Sequence, residues 1–174
     1  MSIETIQEAS SVLVADDASI MRESLREILR HSTYHVVGEA SDGIEVVEQF
    51  DRLRPDVVAL DLVMPGRSGI HALRDILDLA PTTRVVMCSA LGQETLVAEA
   101  LHEGAIGFIV KPFCPNRTLR TLDRVTDRVR TPEIAPIVRA LRAARPAVDC
   151  ATTSARCILA ALRTALDWER RPAA

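Results

Sequence analysis

Lysine is almost missing from this chain: among 174 residues there is one, Lys111, against twenty arginines. Aromatic residues are scarce as well, with one tryptophan, one tyrosine and three phenylalanines, so the core has to be aliphatic. No apolar run approaches the roughly 20 residues that a membrane-crossing helix needs. The opening MSIETIQEAS lacks the basic flank and apolar stretch of a secretory signal, and none is expected. The cysteines Cys88, Cys114, Cys150 and Cys157 show neither C-x-x-C spacing nor a histidine partner pattern. They read as free thiols of a reducing compartment, and a cytoplasmic location is expected. A net charge of −3 and a pI near 5.8 leave no basic excess of the kind that advertises nucleic acid. The charge is unevenly spread: residues 1–128 hold twenty acids against thirteen bases, and residues 129–174 hold four acids against eight arginines.

What is present is alternation. Short apolar runs, VLVAD (12–16), HVVGEA (35–40), DVVALDL (56–62), RVVMCSA (84–90) and GFIVK (107–111), are separated by longer stretches of helical period. The first, third and fourth runs are nearly continuous in aliphatic residues, the pattern of strands covered on both faces. Helices are expected over 19–31, 43–53, 69–80, 93–103 and 116–129. Their apolar stripes include Ile20, Leu25 and Leu29, then Ile44, Val47 and Phe50, then Ile70, Leu73 and Leu77. Ser19, Asn116 and the Gly66/Gly69 pair read as start signals and Gly104 as a stop. Five strand–helix repeats joined by short links predict an α/β fold, a doubly wound parallel sheet with helices on both faces.

The chemistry collects at the strand ends. The first strand ends in Asp16-Asp17, the third in Asp61, the fourth in Ser89-Ala90 and the fifth in Lys111. In an open parallel sheet of order 2-1-3-4-5, ligands bind outside the carboxyl ends of the strands where the order reverses. Three carboxylates, a hydroxyl and an ammonium would converge there. Packed carboxylates repel unless a cation is present, and hard oxygen donors with room for water suit Mg²⁺. Such a site can accept a phosphoryl group, with Asp61 as nucleophile. Lys111 would pair with Asp61 when the site is empty and with phosphate oxygen when it is loaded, while Ser89 would donate to a second phosphate oxygen.

These pieces, VADDA, LDLVMPGRSG, MCSA and GFIVKPF, resemble the receiver domain of two-component response regulators over about residues 10–130. The family motif D-x-x-M-P-x-x-G matches at Asp61, Met64, Pro65 and Gly69. The resemblance implies that Asp61 is the phosphoacceptor, that Asp16 and Asp17 are metal ligands with the Val63 backbone carbonyl as a further contact, and that Mg²⁺ is the cofactor. It also implies that Ser89 is the switch hydroxyl, Lys111 the phosphate-sensing cation, Phe108 the aromatic switch residue, and the Lys111–Pro112 bond cis. It implies a sensor histidine kinase as phosphodonor and a downstream protein bound through the fourth helix, fifth strand and fifth helix. Single-domain receivers of the chemotaxis type are the most similar in MCSALGQE and FIVKPF. Ala18 and Met21 read equally as a kinase-docking start of the first helix or as plain helix packing.

Taken singly, each residue has a plainer reading. An aspartate pair after a strand is ordinarily a turn or helix cap, Ser89 alone is structural and Phe108 alone is core. Asp61 closes a buried run, where a carboxylate must be paired or functional. His31, His35, His71 and His102 lack metal-ligand spacing and read as surface or capping residues. An aspartyl-phosphate phosphatase would need a second acid two residues past its nucleophile, where Val63 stands, so turnover is not expected. A flavin module would need a phosphate-holding loop where ADDAS places anions.

The chain divides into a leader (1–10), the receiver unit (11–129) and a linker with helical extension (130–174). In the extension, Ile134, Ile137, Val138 and Leu141 form one stripe and Ile158, Leu162, Ala165 and Leu166 another. Arg156, Arg163 and Arg170 recur every seven residues, on one face. A hairpin docking on the acidic receiver, or one that dimerises it, fits better than nucleic-acid binding, because no recognition helix or aromatic platform for bases is present. A phospho-regulated dimerising or nucleic-acid-binding regulator acting through these basic helices is the alternative function.

Overall fold

The computed structural model describes residues 9–126. The leader's first eight residues, the receiver unit's last three (127–129) and the extension 130–174, with its two apolar stripes and arginine face, lie outside the described residues. Five strands and five helices alternate: β1 (Ser10–Ala15), α1 (Ser19–Arg30), β2 (Tyr34–Ala40), α2 (Gly43–Leu53), β3 (Val57–Asp61), α3 (Gly69–Leu79), β4 (Arg84–Ser89), α4 (Glu94–Glu103), β5 (Gly107–Val110) and α5 (Pro115–Val125). All strand pairs are parallel and the sheet order is β2-β1-β3-β4-β5. β1, β3 and β4 are the near-continuous aliphatic runs because both of their faces are covered. Leu13, Val58, Leu60, Val85 and Met87 meet α2, α3 and α4. Their neighbours Val12, Val14, Val57, Ala59 and Val86 meet α1 and α5. Each large side chain so buried contributes roughly 1.5–3 kcal/mol, and the core needs few rings to hold.

Two residues placed on core stripes by periodicity face solvent instead: Ile20 is 63% and Ile44 57% exposed. Both lie in the first turn of their helices, beyond the sheet edge, where no strand is left to pack against. The helix starts also differ from the expected signals. Ser19 opens α1, but no side chain caps it; α5 begins at Pro115 rather than Asn116, with proline in the first turn where its missing N–H costs nothing. α2 is capped by Asp42, whose carboxylate accepts from Ile44 N (2.8 Å) and Glu45 N (2.9 Å). Gly104 does end α4, at φ 114°, its N–H reaching Ala100 O and Leu101 O.

Polar ties close the layers at the far edge from the strand ends. Asp56, just before β3, accepts from Ser11 N (2.8 Å) and Ser11 Oγ (2.7 Å), and these bonds hold its carboxyl below the usual range. The Tyr34 hydroxyl donates to Asp123 Oδ1 (2.8 Å) and lies 2.9 Å from Thr126 Oγ1, joining β2 to the last turn of α5. One group is left over. Thr118 on α5 is fully buried, and its Oγ1 has no hydrogen-bond partner. Removing a buried hydroxyl that bonds nothing removes its desolvation cost. Thr118→Val is therefore expected to raise stability by about 1 kcal/mol, read as a higher urea midpoint at unchanged slope. A lowered midpoint would mean that the hydroxyl is satisfied after all.

Candidate functional site

The carboxyl edge of the sheet gathers the residues singled out by sequence. The ladder between β1 and β2 extends one step, Asp16 N donating to Ala40 O (3.1 Å), and delivers Asp16 fully buried at the end of β1. Asp17 follows it into solvent. Asp61 is the last residue of β3, beside Cys88 of β4, and is 4% exposed. Ser89 ends β4, buried, and its carbonyl accepts from Lys111 N (2.7 Å), which brings the residue after β5 alongside. One carboxylate oxygen from each of Asp16, Asp17 and Asp61 lies within 4.8 Å of the others.

Lys111 is shared. Its Nζ stands 2.6 Å from Asp16 Oδ2 and 3.0 Å from Asp61 Oδ2. The expected partner was Asp61 alone; the shorter contact is to Asp16, because the two carboxylates sit on adjacent central strands and one ammonium reaches both. Asp16 Oδ2 is buried and has no N–H or hydroxyl partner besides this ammonium, while Oδ1 accepts from Ala18 N at 3.1 Å. Burial pushes the Asp61 carboxyl up, and the Lys111 hydrogen bond offsets part of that rise. Burial by itself would pull the Lys111 ammonium down; its hydrogen bonds to Asp16 and Asp61 prevail and hold it above the usual lysine range. The Cys88 thiol beside them is buried and pushed up for the same desolvation reason.

The segment after Asp61 is shaped by close approach. Met64 tucks into the core, and Val63 (52% exposed) and Pro65 face outward. Gly66 takes φ +70°, and Gly69 N donates to Leu62 O (3.1 Å). A Cβ on Gly69 would stand 1.8 Å from Asp61 O, and one on Gly43 would stand 2.1 Å from Arg67 O. Both glycines let a helix start press against the turn that follows the acidic strand end. Phe108 is half-buried against the α2–α4 face, and Lys111–Pro112 is a cis peptide. His71 Nδ1 meets Ser68 Oγ (2.7 Å) and His31 Nε2 meets Glu27 Oε1 (3.4 Å), and both side chains are exposed. Asp17 caps no helix: α1 has no side-chain cap.

The donor set fits a hard divalent cation: three carboxylates within bonding reach of a common point, one of them exposed, and a buried oxygen whose one counter-charge is a movable ammonium. Sequence reasoning missed Arg22. Its Nη1 donates to Asp16 O (2.8 Å) and Asp17 O (3.3 Å), and no periodicity in the chain signals that contact.

This fold and acidic edge are those of a receiver-type signalling domain. A family model described as the response regulator receiver domain matches residues 12–123, and the chain belongs to that family. It is 44% identical over 115 residues to the chemotaxis protein CheY of Thermotoga maritima, a match covering 66% of this chain and 96% of that protein. It is 47% identical over 114 residues to protein CcdB of Bacillus subtilis (66% and 95%). Among solved structures, the CheX–CheY–BeF3–Mg²⁺ complex from Borrelia burgdorferi is similar at 35% identity with a TM-score of 0.64, covering 67% of this chain and 88% of that one. The domain is thus CheY-like, of the two-component signalling class. No helix among the described residues is long and apolar enough to cross a membrane.

Proposed function

We propose that this protein is a response regulator that takes a phosphoryl group from a histidine kinase onto Asp61. The observation that carries the reading is the bridging of two buried carboxylates by one ammonium, with Asp17 beside them. Asp61 Oδ attacks phosphorus as the bond to the donor breaks, and the leaving group keeps that bond's electron pair. Asp16, Asp17 and Asp61, with the Val63 backbone carbonyl, hold Mg²⁺, which supplies charge neutralisation for the phosphoryl oxygens. Lys111 then exchanges a carboxylate partner for a phosphoryl oxygen, and the Ser89 hydroxyl donates to another. The movement of Ser89 and Lys111 biases Phe108 between positions and re-shapes the face made by α4, β5 and α5, where a downstream protein docks. Met64, Pro65, Gly69 and Pro112 set the loops around the acid. The MCSA and FIVKPF segments and the CheY-like relatives support a chemotaxis-type readout by protein contact, with the unit bounded by 11–129 and the extension modulating it.

Intact mass after incubation with acetyl phosphate and Mg²⁺ tests the reading. A single phosphoryl gain is expected, dependent on the metal and absent in Asp61→Asn. A gain that survives Asp61→Asn would remove Asp61 as acceptor.

A further inference from the structure

The turn between β1 and α1 carries two of the three acids, yet its own backbone is only half held. Met21 N (2.9 Å) and Arg22 N (3.2 Å) both donate to Ala18 O, so the helix's own hydrogen bonds reach back no further than that carbonyl. The carbonyls of Asp16 and Asp17 lie upstream of it, and Nη1 of Arg22 reaches both. Nε of the same guanidinium points the other way, to Glu39 Oε2 at 3.3 Å near the end of β2. Glu39 Oε1 in turn accepts from Arg26 Nη1 at 3.1 Å. Arg22 is only 19% exposed, so this is a seated side chain and not a passing surface pair.

Resting on the reading above, we propose that Arg22 is a positioning residue for the divalent cation. It fixes the peptide planes from which Asp16 and Asp17 project, and Glu39 keeps it in place. A planar guanidinium suits this task because its N–H groups reach two carbonyls and a carboxylate from one rigid group, which an ammonium cannot match. The groups that orient ligands from behind contribute strongly to metal affinity, their loss typically costing tenfold or more. A simple tie between turn and helix would affect stability without affecting metal affinity, and that difference separates the two roles.

The test is a Mg²⁺ titration of the full chain without phosphodonor, followed by the amide NMR shifts of the β1–α1 turn. Arg22→Ala is expected to weaken Mg²⁺ roughly tenfold, Arg22→Lys to recover part of that loss, and Glu39→Gln to weaken binding in the same direction by less. Unchanged affinity in folded Arg22→Ala overturns the inference. If that variant does not fold, wild-type affinity in both Arg22→Lys and Glu39→Gln overturns it instead. No saturable Mg²⁺ binding in the wild type, or binding that survives Asp17→Asn, would sink the metal site itself and the inference with it.

Discussion

Gly69→Ala is expected to destabilise the domain by about 3 kcal/mol and to depress phosphoryl uptake with it. The added Cβ would stand 1.8 Å from Asp61 O, 2.9 Å from Asp61 C and 3.0 Å from Leu62 Cα. All three are backbone atoms, so no rotamer change relieves the clash. Relief requires moving the start of α3 off the end of β3, and the atom being pushed is the carbonyl of the acid proposed to be phosphorylated. Gly66→Ala is the comparison. Gly66 has φ +70° and open space around its Cβ position, so its cost is the left-handed backbone alone, roughly 1–2 kcal/mol. Urea unfolding of both variants checks the argument; a Gly69→Ala loss no larger than that of Gly66→Ala would show that α3 can shift freely.

Lys111→Met should have the second large effect, a loss whose size depends on pH and metal. Removing the ammonium leaves Asp16 and Asp61, with side chains 1% and 6% exposed, facing each other without a counter-charge. Breaking a buried ion pair by deleting one partner typically costs about 3 kcal/mol. Burial already raises the Asp61 carboxyl, so the folded state binds its proton better than the unfolded chain does. Stability from this group therefore declines as pH climbs from the ordinary aspartate range through the raised value. Without Lys111 the carboxyl rises further, so the deficit of the variant should be small in acid and full at neutral pH. The ammonium's own contribution has the opposite limit: its raised pKa keeps it in force until alkaline pH. Mg²⁺ should recover part of the deficit, because without the competing ammonium the folded variant binds it more tightly than the wild type does. Thermal unfolding across pH, with and without Mg²⁺, reads all three trends, and a pH-independent deficit would contradict the pairing.

The sheet order and the acid cluster were legible because they depend on local signals repeated along the chain. Aliphatic runs covered on both faces mark central strands, and each ends in one informative residue. The sharing of Lys111 between Asp16 and Asp61 was not legible in full, since it depends on the spacing of adjacent strands and not on sequence distance. The tie from Arg22 to Glu39 spans 17 residues and two elements of different period, so no pattern in either element exposes it. Ile20 and Ile44 had the right period for the core and the wrong height, because periodicity reports the face of a helix and not where the sheet beneath it stops. Asp42 was passed over as a cap although its type and place fit one.

The bond from Tyr34 to Asp123 spans 89 residues, and it constrains the order in which the chain can become whole. β1 is made first yet lies inside the sheet, flanked by β2 and β3. Strands are therefore added on both sides of it as synthesis proceeds. Until α5 has left the ribosome, Val86, Cys88 and Ile109 lack their cover from Leu122 and Val125. A nascent chain that stops short of α5 would carry an assembled acidic edge over an open apolar flank, vulnerable to aggregation until the last helix is in place.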